Sequence, residues 1–219
     1  KGELLGGFTG IPPTQIVVIG AGAVGEYACR AALGLGANVK VFDNELYRLR
    51  RLQEHLGNKL FTSTIQPNIL AEALRTCDVA IGALRGESGR SPVVVTEKMV
   101  SQMKPNSIII DVSIDQGGVF ETSEITNHKN PVFKKHDVIH YCVPNITARV
   151  SRSASYALSN IFTPLINDMA NYGGFHELLK IAKGFRQGVY IYKGHLVNQS
   201  LAKRFGMKHK ALELLLNLY

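Results

Sequence analysis

Six short stretches are apolar almost throughout: Gln15 to Ile19, Asn38 to Phe42, Leu60 to Ser63, Val79 to Ala83, Ile108 to Ser113 and Val138 to Val143. Runs of this length, rich in β-branched residues and bounded by Gly, Pro or Asp, suit strands buried on both faces of a sheet. Between them the apolar residues recur at helical spacing. One helix is predicted from Val24 to about Leu35, with Gly34 and Gly36 as end signals. A second follows Asp43 and runs to about Leu56, with Leu46, Leu49 and Leu52 on one face and Gly57 as its stop. Pro67 opens a third through Leu74, where its missing N–H costs nothing, and Thr96 to Met103 is a short fourth. Strands alternating with helices at this spacing predict an α/β fold, a Rossmann-type doubly wound parallel sheet.

The pattern changes after Pro144. Ser151 to about Tyr172 reads as a long helix interrupted by Pro164 and stopped by Gly173-Gly174. Phe175 to Ala182 is a short helix, Val189 to Tyr192 a hairpin arm turning at Lys193-Gly194, and Asn198 to Phe205 and Lys210 to Leu218 are amphipathic helices. These pieces are too few for a core of their own. The expected division is residues 1–150 as a dinucleotide-binding domain and 151–219 as a C-terminal helical appendage that packs on something else.

The most informative stretch is Ile16-Val-Val-Ile-Gly20-Ala-Gly22-Ala-Val-Gly25, a strand that breaks into a GxGxxG turn as a helix begins. Gly20 would permit the tight turn, Gly22 close approach to a diphosphate, and Gly25 close packing of helix on strand. The helix start offers unpaired N–H groups and a positive dipole end to that diphosphate. Asp43 closes the second strand about twenty residues on, where such units place a carboxylate for the adenosine ribose. A carboxylate accepts the 2′-OH and repels a 2′-phosphate, which favours NAD over NADP. In an open α/β sheet ligands bind beyond the carboxyl ends of the strands, so Leu84 and Arg85, at the start of the loop to Pro92, are candidates to lie along the cofactor.

Composition narrows the class. The 219 residues are 45% hydrophobic and 19% charged, as for an ordinary globular protein, with no run long enough for a membrane span and no signal-peptide pattern. The net charge of +8 is scattered over Arg48–Arg51, Lys134-Lys135, Lys203-Arg204 and Lys208–Lys210, which reads as solvated faces with no nucleic-acid stripe. Cys29, Cys77 and Cys142 are odd in number and widely spaced, so neither a disulfide framework nor a metal site is expected, and a cytoplasmic setting fits. His140 lies within an apolar strand and reads as a core residue. The first residue is Lys1, and the expectation is a processed chain or a piece of a longer one.

Ile16 to Asp43, Met103 to Gly118 with its Ile-Asp-Gln-Gly-Gly run, Phe120-Glu121, His140 to Asn145, Ala157 to Asn160 and Lys193-Gly-His195 together resemble alanine dehydrogenase, with the NAD(P) transhydrogenase α subunit as a more distant relative that departs at Asp115-Gln116. The resemblance implies a dinucleotide domain inserted into a substrate domain, with this chain corresponding to the insert and the segment that returns from it. The family's substrate-binding arginine and lysine and its catalytic histidine belong to the N-terminal part, which has no counterpart here, so this piece alone is expected to be inactive. The cofactor half carries over: Gly20, Gly22, Ala23, Val24 and Gly25 to the diphosphate turn, Asp43 to the ribose carboxylate, Arg48 to the basic position shortly after it, and Leu84 and Arg85 to the stretch beside the cofactor. Val112, Ser113, Ile114 and Asp115, with Val143, Pro144, Asn145 and Ile146, match the stretches near the nicotinamide. Asp115 falls at the family's acid/base aspartate, a role that burial would favour by raising its pKa. Arg85 to Arg90 depart from the family's more apolar, proline-containing loop.

The implied activity is oxidative deamination of L-alanine to pyruvate and ammonia with hydride transfer to NAD, in a homo-oligomer that is hexameric when intact. Two alternatives stand beside it: a transhydrogenase α-type subunit or another amino-acid dehydrogenase, and a non-catalytic NAD-binding module.

Overall fold

The computed structural model describes residues 2–57, 60–86 and 89–217. Glu87 and Ser88 of the loop after Val79–Gly82, and Leu218 of the C-terminal leucine run, therefore lie outside the described residues.

Two compact units divide the chain, residues 1–146 and 147–219. In the first, β1 (Gln15–Ile19), β2 (Asn38–Phe42), β3 (Phe61–Ser63), β4 (Val79–Gly82), β5 (Ile108–Asp111), β6 (Val132–Lys135) and β7 (Val138–Tyr141) form one sheet in the order β3-β2-β1-β4-β5-β7-β6. Every pairing is parallel except that of β6 with β7. The chain leaves β1 toward one edge and returns past it to β4 toward the other. This reversal opens a crevice at the strand ends, the usual ligand position of a doubly wound sheet.

The helices alternate with the strands as the periodicity predicts: α1 (Ala23–Gly34), α2 (Leu46–Leu56), α3 (Pro67–Thr76) and α4 (Glu97–Ser101). Pro67 occupies the first turn of α3, and the Thr96 hydroxyl caps α4 by accepting from the Met99 N–H. The sheet separates two apolar layers. One packs Val17, Ile19 and Phe42 with Leu70, Leu74, Ile109 and Phe120; the other packs Val18, Val39 and Val41 with Cys29, Leu49 and Leu52. Alternate residues of β1, β2 and β4 thus enter opposite layers, which is why these strands read as continuously apolar.

The antiparallel edge strand β6 is the sheet element the apolar pattern misses. Val132-Phe-Lys-Lys135 has two lysines in four positions, the composition of an edge that must not recruit another strand.

The second unit holds α5 (Ser151–Asn171), α6 (Phe175–Ile181), α7 (Lys183–Arg186), a hairpin of β8 (Ile191–Tyr192) and β9 (His195–Leu196), α8 (Gln199–Phe205) and α9 (Leu212–Leu216). Two expectations are corrected here. Pro164 does not interrupt the long helix, which runs through it for 21 residues. The segment also has a small core, since Leu179, Val189 and Tyr192 bury themselves with Leu212, Leu215 and Leu216. By contrast α5 buries none of its residues, and Tyr156, Leu158, Ile161, Phe162 and Ile166 stay exposed along it. The charge is also uneven: residues 147–219 carry ten of the 25 lysines and arginines but only three of the 17 acidic residues.

Candidate functional site

The glycine turn is built by steric exclusion. Gly20 has a φ of 115°, and a Cβ there would strike the Ala83 carbonyl at the end of β4. A Cβ on Gly25 would run into the Gly20 carbonyl oxygen, so that only glycine lets α1 start so close to β1. Gly22 differs: it has ordinary extended torsions, and a Cβ there would meet nothing within 4 Å. Glycine at 22 is thus not required by the protein around it; it keeps space open in front of α1. No side chain caps that helix, whose first turn presents its N–H groups and positive dipole end there. An open approach to an uncapped helix start fits a diphosphate.

Asp43, at the end of β2, is buried and fully engaged with backbone. One carboxylate oxygen accepts the Ala21 N–H at 2.7 Å, the other the Glu45 N–H at 2.8 Å. The carboxylate therefore ties the glycine turn to the start of α2. Arg48 Nη1 lies 3.9 Å from it, and Arg51 reaches from α2 to the Ala21 carbonyl at 3.4 Å. Glu26, in the first turn of α1, is held below the usual carboxylate range, chiefly by a hydrogen bond from His55, with Arg30 and Arg51 adding to it.

At the ends of β4, β5 and β7 the loops interlock. The Leu84 carbonyl accepts from the Ser91 and Ser113 hydroxyls, each at 2.8 Å, and the Ser91 N–H donates to Gln116. Asp115 sits in the 3-10 turn after β5, and both its oxygens accept the Asn145 N–H, at 3.1 and 3.3 Å. Asn145 adopts the left-handed conformation that asparagine tolerates. The two stretches expected beside a nicotinamide, 112–115 and 143–146, are thus joined at Asp115 and Asn145.

Not every residue of those stretches faces outward. Ser113, Ile114 and Val143 are buried, so their side chains belong to the core, whereas Arg85, Asp115 and Asn145 are exposed. Asp115 is therefore without the burial that would favour an acid/base role. The buried carboxyl of this stretch is Asp111, four residues earlier and 2% exposed. Burial pushes its pKa up, against hydrogen bonds from Ser123, Val119, Phe120 and Ser113 that act the other way. Sequence reasoning passes over Asp111; the one signal is a carboxylate inside an otherwise apolar strand.

His140 is a core residue, as expected. Its Nε2 lies 2.8 Å from the Thr122 hydroxyl, its Nδ1 3.0 Å from the Val138 carbonyl, and burial depresses its pKa. The three cysteines are free and buried, and the thiols of Cys29 and Cys77 are pushed up to about 12 by desolvation. Among the described residues no group of His, Cys, Asp and Glu could hold a metal ion, and no helix is long and apolar enough to cross a membrane.

A doubly wound parallel sheet, an uncapped helix behind a glycine turn and a carboxylate at the end of the second strand define the class: a Rossmann-type domain of the dinucleotide-binding kind. Residues 1–199 match the family model described as alanine dehydrogenase/PNT, C-terminal domain, and the chain belongs to that family. It is 39% identical over 218 residues to alanine dehydrogenase 2 of Staphylococcus aureus strain MRSA252, covering 99% of this chain and 58% of that protein. A solved L-alanine dehydrogenase superposes with a TM-score of 0.87 at 33% identity, over 94% of this chain and 56% of that one. A transhydrogenase from Sinorhizobium meliloti shares the fold, with a TM-score of 0.73 at 23% identity over 91% of this chain and 55% of its own. The chain thus spans less than two thirds of the relatives it matches.

Proposed function

We propose that this chain is the NAD-binding portion of an L-alanine dehydrogenase. The observation that carries the reading is the glycine turn, where two glycines are demanded by the protein and the third, Gly22, leaves space that no protein atom fills. Family membership implies a nicotinamide cofactor; the choice of NAD over NADP rests on Asp43, whose negative charge would oppose a 2′-phosphate.

In this reading the N–H groups of Ala23, Val24 and Gly25 stabilise the diphosphate. Asp43 accepts the ribose 2′-OH with Arg48 beside it, and Leu84 and Arg85 flank the cofactor. Residues 112–115 and 143–146 border the nicotinamide, with Asp115 exchanging protons with the amino-acid substrate and Asn145 orienting a carboxamide or substrate group. Bound there, NAD would supply the acceptor for the hydride that leaves the alanine Cα. The oxidised amino acid is then hydrolysed to pyruvate and ammonia.

The exposure of Asp115 supports a division of labour in which a substrate domain, of the kind the longer relatives have room for, closes over it, and the unburied α5 separately supports a returning segment that packs on further protein. Residues 1–150 would be the dinucleotide domain and 151–219 the segment completing that second domain, with the excess of positive charge in 147–219 favouring an acidic counterpart. Deamination would then need the whole protein, a cytoplasmic homo-oligomer that is hexameric when intact.

The test is calorimetric titration of the chain with NAD and, in parallel, NADP, repeated on Gly22→Val. Its side chain projects into open space and costs the helix cap about 1 kcal/mol or less. NAD binding that is stronger than NADP binding and is lost in Gly22→Val supports the reading. Binding of NAD that survives the substitution places the ligand elsewhere and refutes it.

A further inference from the structure

Asp111 lies at the carboxyl end of β5, where the ends of β4, β5 and β7 converge. One oxygen accepts the Ser123 hydroxyl at 2.6 Å, the Val119 N–H at 2.8 Å and the Phe120 N–H at 3.5 Å; the other accepts the Ser113 N–H at 3.1 Å. These donors come from both arms of the 112–123 loop, whose tip holds Asp115. The surroundings are shaped to the carboxyl. A Cβ on Gly118, where φ is 83°, would lie 2.7 Å from one oxygen, and a Cβ on Gly82 3.0 Å from the other. Ser123 also takes a weak contact from the Cys142 thiol, at 3.7 Å, one residue before the 143–146 stretch.

Burying a carboxyl is costly unless donors surround it. Here four donors are gathered on one group, and a loop that only had to turn would not need it. We infer that Asp111 is a positioning residue: its buried carboxyl fixes the 112–123 loop, and through it Asp115, against the nicotinamide half of the bound dinucleotide. Asp111 touches neither substrate nor cofactor, and it acts through the Ser113, Val119 and Ser123 bonds. The inference rests on the NAD reading above and adds the element that fixes the geometry of that half-site.

The test separates the two halves of the ligand. ADP-ribose carries the adenosine and diphosphate but no nicotinamide; NADH carries both. The chain has no Trp, so NADH emission reports the nicotinamide surroundings without tryptophan transfer. Wild type, Asp111→Asn and Ser123→Ala are titrated with each ligand. Asparagine keeps an acceptor for the Ser123 and Val119 donors but turns an N–H toward the Ser113 N–H. The expected result is a Kd for NADH about tenfold weaker in Asp111→Asn and about threefold weaker in Ser123→Ala. The NADH emission change should shrink, while the Kd for ADP-ribose stays within twofold of wild type.

Parallel losses for both ligands would mean that Asp111 merely supports the fold, and unchanged NADH binding that the loop is fixed without it; either overturns the inference. Equal affinity of the wild type for the two ligands overturns it too, since the loop would then engage no nicotinamide. If Asp111→Asn does not fold, Ser123→Ala, which removes a single donor, decides alone. Wild type that binds neither ligand refutes the NAD reading itself, and the positioning role falls with it.

Discussion

Removing the Asp43 carboxylate should damage the fold before it damages ligand recognition. Both carboxylate oxygens are engaged, by the Ala21 N–H at 2.7 Å and the Glu45 N–H at 2.8 Å, and the side chain is almost wholly buried. Asp43→Ala leaves these two donors without partners. A buried donor left unsatisfied costs about 1–3 kcal/mol, and bonds to a charged acceptor lie toward the upper end. The nearby Arg48, at 3.9 Å and partly exposed, contributes less than about 1 kcal/mol. The expected loss is about 2–5 kcal/mol, which for a chain of this size lowers the melting temperature by about 5–15 °C. Asp43→Asn keeps one acceptor and should lose about half as much.

The assay is urea unfolding followed by far-UV circular dichroism, alongside titration with NAD and NADP. If the carboxylate also reads the ribose, Asp43→Asn weakens NAD binding but raises the affinity for NADP relative to NAD, because the charge that repels a 2′-phosphate is gone. A change in that ratio cannot come from a loosened turn, which would affect both ligands alike. Stability of Asp43→Ala within about 0.5 kcal/mol of wild type would refute the bracing argument. The consequence for experiment is direct: loss of NAD binding in an alanine variant is not by itself evidence for a ribose contact.

Thr122→Val strands His140 Nε2 in a fully buried site, and should cost about 1–3 kcal/mol in chemical denaturation; no measurable loss would mean the hydroxyl does not serve the imidazole. The raised pKa of Asp111 means that this group binds a proton more tightly in the folded state than in the unfolded chain, so its contribution to stability falls as pH rises from about 4, the unfolded Asp value, through the folded one. Asp111→Asn should remove that component, read as the pH dependence of the difference between the two unfolding free energies; a flat difference would count against it. The buried Cys29 and Cys77, with thiols pushed up to about 12, should resist a thiol-reactive disulfide at pH 8 in the native state, and all three cysteines should react in denaturant. Rapid native labelling of Cys77 would contradict its burial at the C-terminal end of α3.

The sheet was legible because parallel strands buried on both faces carry their signal continuously, as in Ile16-Val-Val-Ile19, and because Pro67, Gly57 and Gly173-Gly174 mark helix ends by backbone chemistry that needs no tertiary context. Elements stabilised by other means were not. The β6 strand is a lysine-bearing edge whose period-2 signal spans four residues. The small core of the second unit joins Leu179 and Tyr192 to Leu212 and Leu216, and no local pattern reports a contact between residues so far apart in the chain. Pro164 was a fair reason to expect a break in α5. Tolerating it takes one missing hydrogen bond and a clash with the preceding turn, and the helix absorbs both.

The site shows the same division more sharply. Motif spacing finds residues whose backbone must take a special course, hence Gly20, Gly22 and Gly25, and it finds Asp43 by its distance from them. It does not say which carboxylate is buried. Asp111 and Asp115 stand four residues apart in one sequence run, and chemistry that needs a raised pKa points to Asp115 only if something covers it. In the fold the apolar strand carries Asp111 inward, where Ser113, Val119 and Ser123 converge on it, and the 3-10 turn carries Asp115 out to Asn145. Depth in a sheet is decided by where the strand ends relative to its neighbours: Asp111 pairs with Gly82 of β4 as the last residue of β5, and Asp115 comes one turn too late to be enclosed. An acid/base role for Asp115 therefore requires burial supplied from outside residues 1–146. Replacing the matching aspartate by asparagine in a full-length relative should abolish alanine turnover; unchanged turnover would remove the argument for a catalytic role of Asp115.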